Sequence, residues 1–217
     1  MYIRVKGDLL EVKIEHKRTT RNTYMRVKEG NVLQVTTNPF TTEGMIRKIL
    51  TEHIKEIERM YEFQKKKESY EDKFYYLGKE YDVVGTNEKE VRLGTSKVFI
   101  PKDFDINKWY LEKARPVFQE HLDACYHKFS RVIPYPTLKI RKMKSRWGVC
   151  NTKTHVVTLN LELIKRETHL LDYVIYHELS HLIEGNHSKR FWNVVEENFP
   201  DYKEARDELK RYYKLKN

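Results

Sequence analysis

Two cysteines, Cys125 and Cys150, are all that the 217 residues contain. Two thiols cannot build the disulfide framework on which small secreted folds depend. No apolar run approaches the ~20 residues needed to cross a bilayer. The opening stretch, residues 1–6, lacks the apolar core of a secretion signal. The expected location is therefore a reducing cytoplasm, with no membrane partner. Internal repeats, low-complexity segments, Gly-rich phosphate loops and paired Cys motifs are also missing from the sequence, which removes the usual signatures of solenoids, P-loop nucleotide folds and cysteine-rich zinc modules.

Charge is plentiful and of both signs. The 42 Lys+Arg residues outnumber the 32 Asp+Glu residues, for a net +10. That balance admits an acidic partner such as nucleic acid without requiring one, because interspersed signs are the pattern of solvated helix faces. Two acid-free basic stretches stand out: segment 17–28, with Lys17, Arg18, Arg21, Arg26 and Lys28, and segment 139–146, with Lys139, Arg141, Lys142, Lys144 and Arg146. These are the segments through which a nucleic acid would bind.

Residues 1–105 read as a β-rich N-terminal region with one long helix. Leu10, Val12 and Ile14 alternate with Glu11, Lys13 and Glu15, the period-two sign of a half-buried strand. Strands 24–27 and 32–35 follow across the turn Lys28-Glu29-Gly30-Asn31. From about Thr42 to Lys67, Ile46, Ile49, Leu50, His53, Ile54, Ile57, Met60 and Tyr61 keep the spacing of one apolar helix face. His53 is expected there as a core residue. A second group of strands is predicted at 74–77, 80–84, 91–93 and 98–100, with a hairpin-like break at Gly78-Lys79. A helix over 107–129 with a kink or restart at Pro116, strands at 138–142 and 155–160, and three C-terminal helices complete the pattern.

The chemistry concentrates in Tyr-Val-Ile-Tyr-His-Glu-Leu-Ser-His-Leu-Ile-Glu-Gly-Asn-His, residues 173–187. Residues four apart on a helix share a face, so His177 and His181 aim two imidazoles at one small volume. Glu178 is rotated by about 100° and reaches a water activated by a metal without being a ligand. This is the physical content of H-E-x-x-H: two zinc ligands and a general base from one turn. A catalytic zinc takes a third protein ligand and keeps one open position. Gly185 is expected just past the helix end in a left-handed conformation, so that His187 swings back over the metal as third ligand. One Zn²⁺ per chain is the implied cofactor. The bland alternative is an amphipathic helix with two partly buried histidines. Leu170, Val174, His177 and His181 fall on one stripe, and buried neutral imidazoles need partners.

Around this motif several roles stay open. Asp172, Glu162 and Glu184 are all within sequence reach to accept a ligand histidine's second N–H. Strand 155–160 is the candidate platform for an extended peptide, with plain sheet core as the equal alternative. Cys150 reads as a buried, inert thiol.

With these residues laid out, the C-terminal half resembles the YgjP-like metallopeptidase domain, and more distantly the SprT-like and WLM metallopeptidases. The resemblance rests on Ser145-Arg146-Trp147-Gly148-Val149-Cys150, on Leu159-Asn160, on residues 172–182, and on Asn186-His187-Ser188 with Phe191-Trp192. Pro200-Asp201-Tyr202-Lys203 is a weaker piece. Val149 departs from the small polar residue usual at its position. The resemblance implies an α+β fold in which residues 106–217 form a zincin-like, minigluzincin-type metallopeptidase domain with a small sheet. It implies His177, His181 and His187 as metal ligands, Glu178 as catalytic base, and Arg146 and Trp147 beside the cleft. The expected function is a zinc-dependent metallopeptidase acting on a peptide or protein substrate. Two alternatives are a metal-dependent nucleoside triphosphate pyrophosphatase, a label that relatives have carried, and a nucleic-acid-associated module with a structural zinc.

Overall fold

The structure is a computed structural model that describes residues 1–71 and 73–216. It divides into two compact units, Met1–Asp72 and Lys73–Asn217.

In the first unit, β1 (Tyr2–Val5), β2 (Asp8–His16), β3 (Tyr24–Lys28) and β4 (Val32–Thr37) form one sheet in the order β1-β2-β4-β3. β2 and β4 run parallel, and the outer pairs are antiparallel. Leu10, Val12, Leu33 and Val35 point to the buried face, as their period-two spacing requires. Two helices share that core through Ile46, Leu50, Ile57 and Tyr61. They are α1 (Glu43–Glu52), capped by the Thr42 side chain, and α2 (Ile54–Glu71). The single helix expected over 42–67 is thus two. The break falls at His53, which is exposed and caps α1 through its backbone N–H, instead of lying in the core.

The second unit begins earlier than the expected boundary at residue 105. Its first sheet comprises β5 (Phe74–Tyr76), β6 (Lys79–Thr86), β7 (Arg92–Leu93) and β8 (Lys97–Pro101), in the order β5-β6-β8-β7. The β5–β6 hairpin turns on Leu77 and Gly78, both with positive φ (48° and 78°), a pair that suits the twist of a two-residue loop. Phe74 stacks on Tyr110 at 5.1 Å and packs on Trp109 at 5.5 Å. Those two aromatics belong to α3 (Ile106–Lys128), so this sheet buries its apolar side with the C-terminal elements. The shared core explains why the units part before Lys73. Pro116 sits inside α3, which runs on as one helix instead of restarting.

A second sheet, β9 (Thr137–Arg141), β10 (Gly148–Asn151) and β11 (Val156–Asn160), has the order β10-β11-β9. β11 is therefore central, and the expected substrate platform at 155–160 has both edges taken by neighbours. β10 is the edge strand on the side of α4 (Thr168–Ser180). A 3₁₀ turn, Leu161–Lys165, links β11 to α4. Then come α5 (Lys189–Asn198) and α6 (Tyr202–Lys216). α4 is buried nearly all round, with Leu170, Leu171, Tyr173, Val174, Ile175, Tyr176 and Leu179 in the core, which marks it as the central helix of this unit and not a surface amphipathic one. Among the described residues no helix is long and apolar enough to cross a membrane.

Candidate metal centre

α4 delivers its last turn into a cleft of about 870 Å³. The helix does not end on a left-handed glycine, because Gly185 has no positive φ. Its backbone instead tightens after Ser180, where the N–H groups of His181, Leu182 and Ile183 each bond the carbonyl three residues back, the usual closing of an α-helix into 3₁₀ geometry. His181 therefore sits at the C-cap with α-helical dihedrals, still four residues from His177 and on the same face. The chain then turns through Asn186, whose side chain accepts the Ser188 N–H at 3.1 Å. Ser188 in turn caps α5 by accepting the Phe191 N–H. These two short-range bonds fix the residue between them, His187, over the end of α4.

The three imidazoles meet there. One ring nitrogen from each of His177, His181 and His187 lies within 4.8 Å of the other two, and Nε2 of His177 is 3.1 Å from Nε2 of His187. Two nitrogens held tetrahedrally on one zinc at about 2.0–2.1 Å would stand about 3.3 Å apart, so the spacing suits a single small cation. Phe191, fully buried, closes the floor with its ring 4.5–4.9 Å from all three imidazole centroids. Trp192 stacks on His187 at 5.8 Å.

The electrostatics fit the same ion. Burial first, then the neighbouring His181 and His187, push the His177 pKa down to about 3. Burial also lowers that of His181. Neutral imidazoles are the form that donates a lone pair to a metal. His181 Nδ1 donates to the Glu184 carbonyl at 3.2 Å, which leaves its Nε2 for the cluster. His177 Nδ1 is buried with no hydrogen-bond partner among the described residues. Of the three acids within sequence reach, Glu184 serves, but through its backbone. Glu162 pairs with Lys165 at 3.2 Å, and Asp172 meets His121 at 2.6 Å on the α3 side.

Glu178 is 4 % exposed and lines the cleft beside the histidines. Burial raises its pKa to about 8, against the opposing pull of a hydrogen bond from the Cys150 backbone N–H and of the Arg146 charge. The carboxylate rests directly on Gly148: a Cβ there would stand 2.5 Å from Glu178 Oε1 and 2.7 Å from its Cγ. The Trp147-Gly148-Val149-Cys150 stretch is thus the wall against which the Glu178 carboxylate packs, and only a residue without a side chain fits at its second position. The bond to Cys150 comes from its backbone, while burial pushes the Cys150 thiol up to about 12, so this side chain stays an inert thiol. Asn160 holds the wall in place. Its side chain donates to the carbonyls of Met143 and Arg146 and accepts the N–H groups of Met143 and Glu162.

Arg146 and Trp147 line the cleft as expected, and Arg206, Leu209 and Lys210 join them from α6. No motif in the sequence marks those three. Tyr176 faces away, packed on Phe129 and Phe199. The basic stretches 17–28 and 139–146 fall in different units; within the second, Lys139 and Arg141 are exposed on β9, whereas Arg146 turns into the cleft.

The family described as YgjP-like, metallopeptidase domain, matches residues 21–212. Solved structures similar to part of the chain include two metallopeptidase zymogens. Abylysin of Pyrococcus abyssi is 27 % identical, with a TM-score of 0.39 over 42 % of this chain and 90 % of its own. Jannalysin of Methanocaldococcus jannaschii is 23 % identical, with a TM-score of 0.35 over 45 % and 94 %. No curated protein matches.

Proposed function

Because the chain belongs to the YgjP-like metallopeptidase domain family, we propose that it hydrolyses peptide bonds with one zinc ion held by His177, His181 and His187. The observation that carries this reading is the convergence of three imidazole nitrogens within 4.8 Å beside a buried carboxylate in one cleft. Each histidine has a supporting feature. His181 is oriented by the Glu184 carbonyl, His187 by the turn into α5, and His177 by the rigid core helix that carries it. Zinc bound there would act as a Lewis acid toward the scissile carbonyl and would lower the pKa of a water. Glu178 takes the proton of that water on its carboxylate and returns it to the leaving amine. The Cys150 N–H and the floor at Gly148 keep the carboxylate aimed during both transfers. A pKa raised toward neutrality by burial suits a group that must accept and then release a proton. The free edge of β10 lies along the same cleft, and an extended substrate can pair with it as an added strand.

The same geometry disfavours the other two readings. Glu178 is the one carboxylate among the described residues that line the cleft, whereas a nucleotide site handling Mg²⁺ would be expected to offer more oxygen ligands. A structural zinc normally takes four protein ligands, and the described cluster has three.

Glu178→Gln tests the mechanism. The variant keeps the shape and the metal, so zinc content and Tm stay near those of the unaltered protein. Hydrolysis of an unfolded protein substrate falls by roughly 10²–10⁴, the usual worth of general acid–base catalysis. Nucleoside triphosphates are assayed in parallel. An unchanged rate with zinc fully bound would refute Glu178 as the base.

A further inference from the structure

The charge of the cleft is lopsided. Among the described residues, Arg146, Arg206 and Lys210 line it, against Glu178 as the one acidic residue. Lys210 is already paired with Asp207 at 2.7 Å on its own helix. Arg146 and Arg206 form no ion pair among the described residues. Two guanidinium groups therefore line a cavity whose other walls mix the apolar Val149, Val174 and Leu209 with the hydroxyls of Ser145, Thr152 and Tyr173.

Arg206 is the better placed of the two to hold a ligand. Its guanidinium lies 4.7 Å over the Trp192 ring. That ring also stacks on Tyr202 at 5.3 Å and on His187 at 5.8 Å. The stack keeps the guanidinium beside the histidine cluster while leaving its five N–H donors available. Arg206 lines the same cleft as His177 and Tyr173. An exposed planar guanidinium that forms no ion pair among the described residues can take a carboxylate in two parallel hydrogen bonds. The same field repels a lysine or arginine of a substrate, so it selects by attraction and by exclusion.

We infer that the cleft selects peptides carrying a carboxylate close to the bond to be cleaved, and that Arg206 is the specificity-determining residue that receives it. This deepens the peptidase reading and rests on it. The carboxylate comes either from an acidic side chain or from the peptide's own C-terminus, and the shared chemistry is the same.

The test uses the zinc-loaded full chain and matched peptides with Glu, Gln or Lys at each of the two positions on either side of the scissile bond. Each peptide is made with a free and with an amidated C-terminus. At one position kcat/KM is expected to favour Glu over Gln by roughly 10- to 100-fold, the worth of a charge-assisted hydrogen-bond pair, with Lys poorest. If instead Glu and Gln are equivalent and amidation lowers kcat/KM by that factor, the carboxylate is the chain terminus and the free-to-amidated ratio is the one that Arg206 controls. Arg206→Gln collapses the Glu-to-Gln ratio toward unity, and Arg206→Lys retains part of it. A ratio that survives in Arg206→Gln overturns the proposal, even if every rate falls together. The second readout does not need turnover: Glu178→Gln binds the same peptides, followed by calorimetry, with the same order of affinity. Cleavage and binding without any preference for a carboxylate remove this site and leave the peptidase reading standing. Selective binding without hydrolysis by the unaltered protein does the reverse.

Discussion

Replacing Gly148 by alanine tests the packing contact under the Glu178 carboxylate, the base of the proposed mechanism. The added Cβ would lie 2.5 Å from Oε1, 2.7 Å from Cγ and 2.8 Å from Cδ of Glu178. Ordinary van der Waals contact between such atoms begins at about 3.4 Å, so the carboxyl group or the strand must move by roughly 0.6–0.9 Å. Glu178 cannot swing into solvent, since it is 4 % exposed and wedged between β10 and its own helix. β10 is an edge strand and can yield, at the cost of the Cys150 N–H bond to the carboxylate. Overpacking of this kind costs about 1–3 kcal/mol, or roughly 2–10 °C in Tm for a unit of this size. A displacement near 1 Å at a catalytic group costs about 10²-fold in rate. The three histidines are untouched, so zinc content by atomic absorption should remain at one per chain. Removing the obstructing atoms supplies the control. In the double variant Gly148→Ala with Glu178→Ala, the alanine no longer destabilises, and a double-mutant cycle in urea shows a coupling of the order of the single cost. Full activity in Gly148→Ala, or an additive cycle, would show that Gly148 does not set the position of the base.

Three further outcomes follow from the same geometry. His187→Ala should lose zinc on dialysis and lose activity with it, because two imidazoles alone hold a catalytic zinc weakly; retained stoichiometric zinc would remove His187 from the ligand set. In metal-stripped protein, the Glu178 pKa raised by burial from 4.5 to about 8 means that the folded state holds the proton more tightly than the unfolded one. Its contribution to stability is complete below pH 4.5 and is lost as pH rises through about 8, so the unaltered protein should lose roughly 3–5 kcal/mol between pH 4.5 and 8.5 relative to Glu178→Gln, measured by urea denaturation; parallel profiles would contradict the burial. If segment 139–146 contacts phosphates, charge reversal at Arg141 and Lys142 should weaken DNA or RNA binding and reduce the salt slope by about one per lost contact. No binding by the unaltered protein at moderate salt would leave these side chains as solvated surface.

What the sequence determined by itself is what local periodicity and spacing can encode. H-E-x-x-H needs only a helix to bring His177, His181 and Glu178 to one end, and the helix formed. Ser188 needs only the next turn of chain to act as a cap, and it caps α5. The alternation of Leu10, Val12 and Ile14 likewise needs only a sheet with one buried face. The rest depended on partners distant in sequence. Pairing made β11 central and β10 the edge, because register is set by which strands meet and not by the pattern along either one. Aromatic packing of Phe74 on Trp109 and Tyr110 moved the unit boundary from 105 to 72. The exposed break at His53 shows that an apolar stripe predicts a helix better than it predicts the helix's continuity. Gly148 under Glu178 and Arg206 over Trp192 are contacts between residues 30 and 14 positions apart in the chain. The role of neither is written locally: Gly148 stands in a stretch that the resemblance picks out, yet nothing there shows that a distant carboxylate requires it, and a surface arginine on α6 looks like its solvated neighbours. Only the folded chain, by bringing those partners within van der Waals range, gives either residue its place at the cleft.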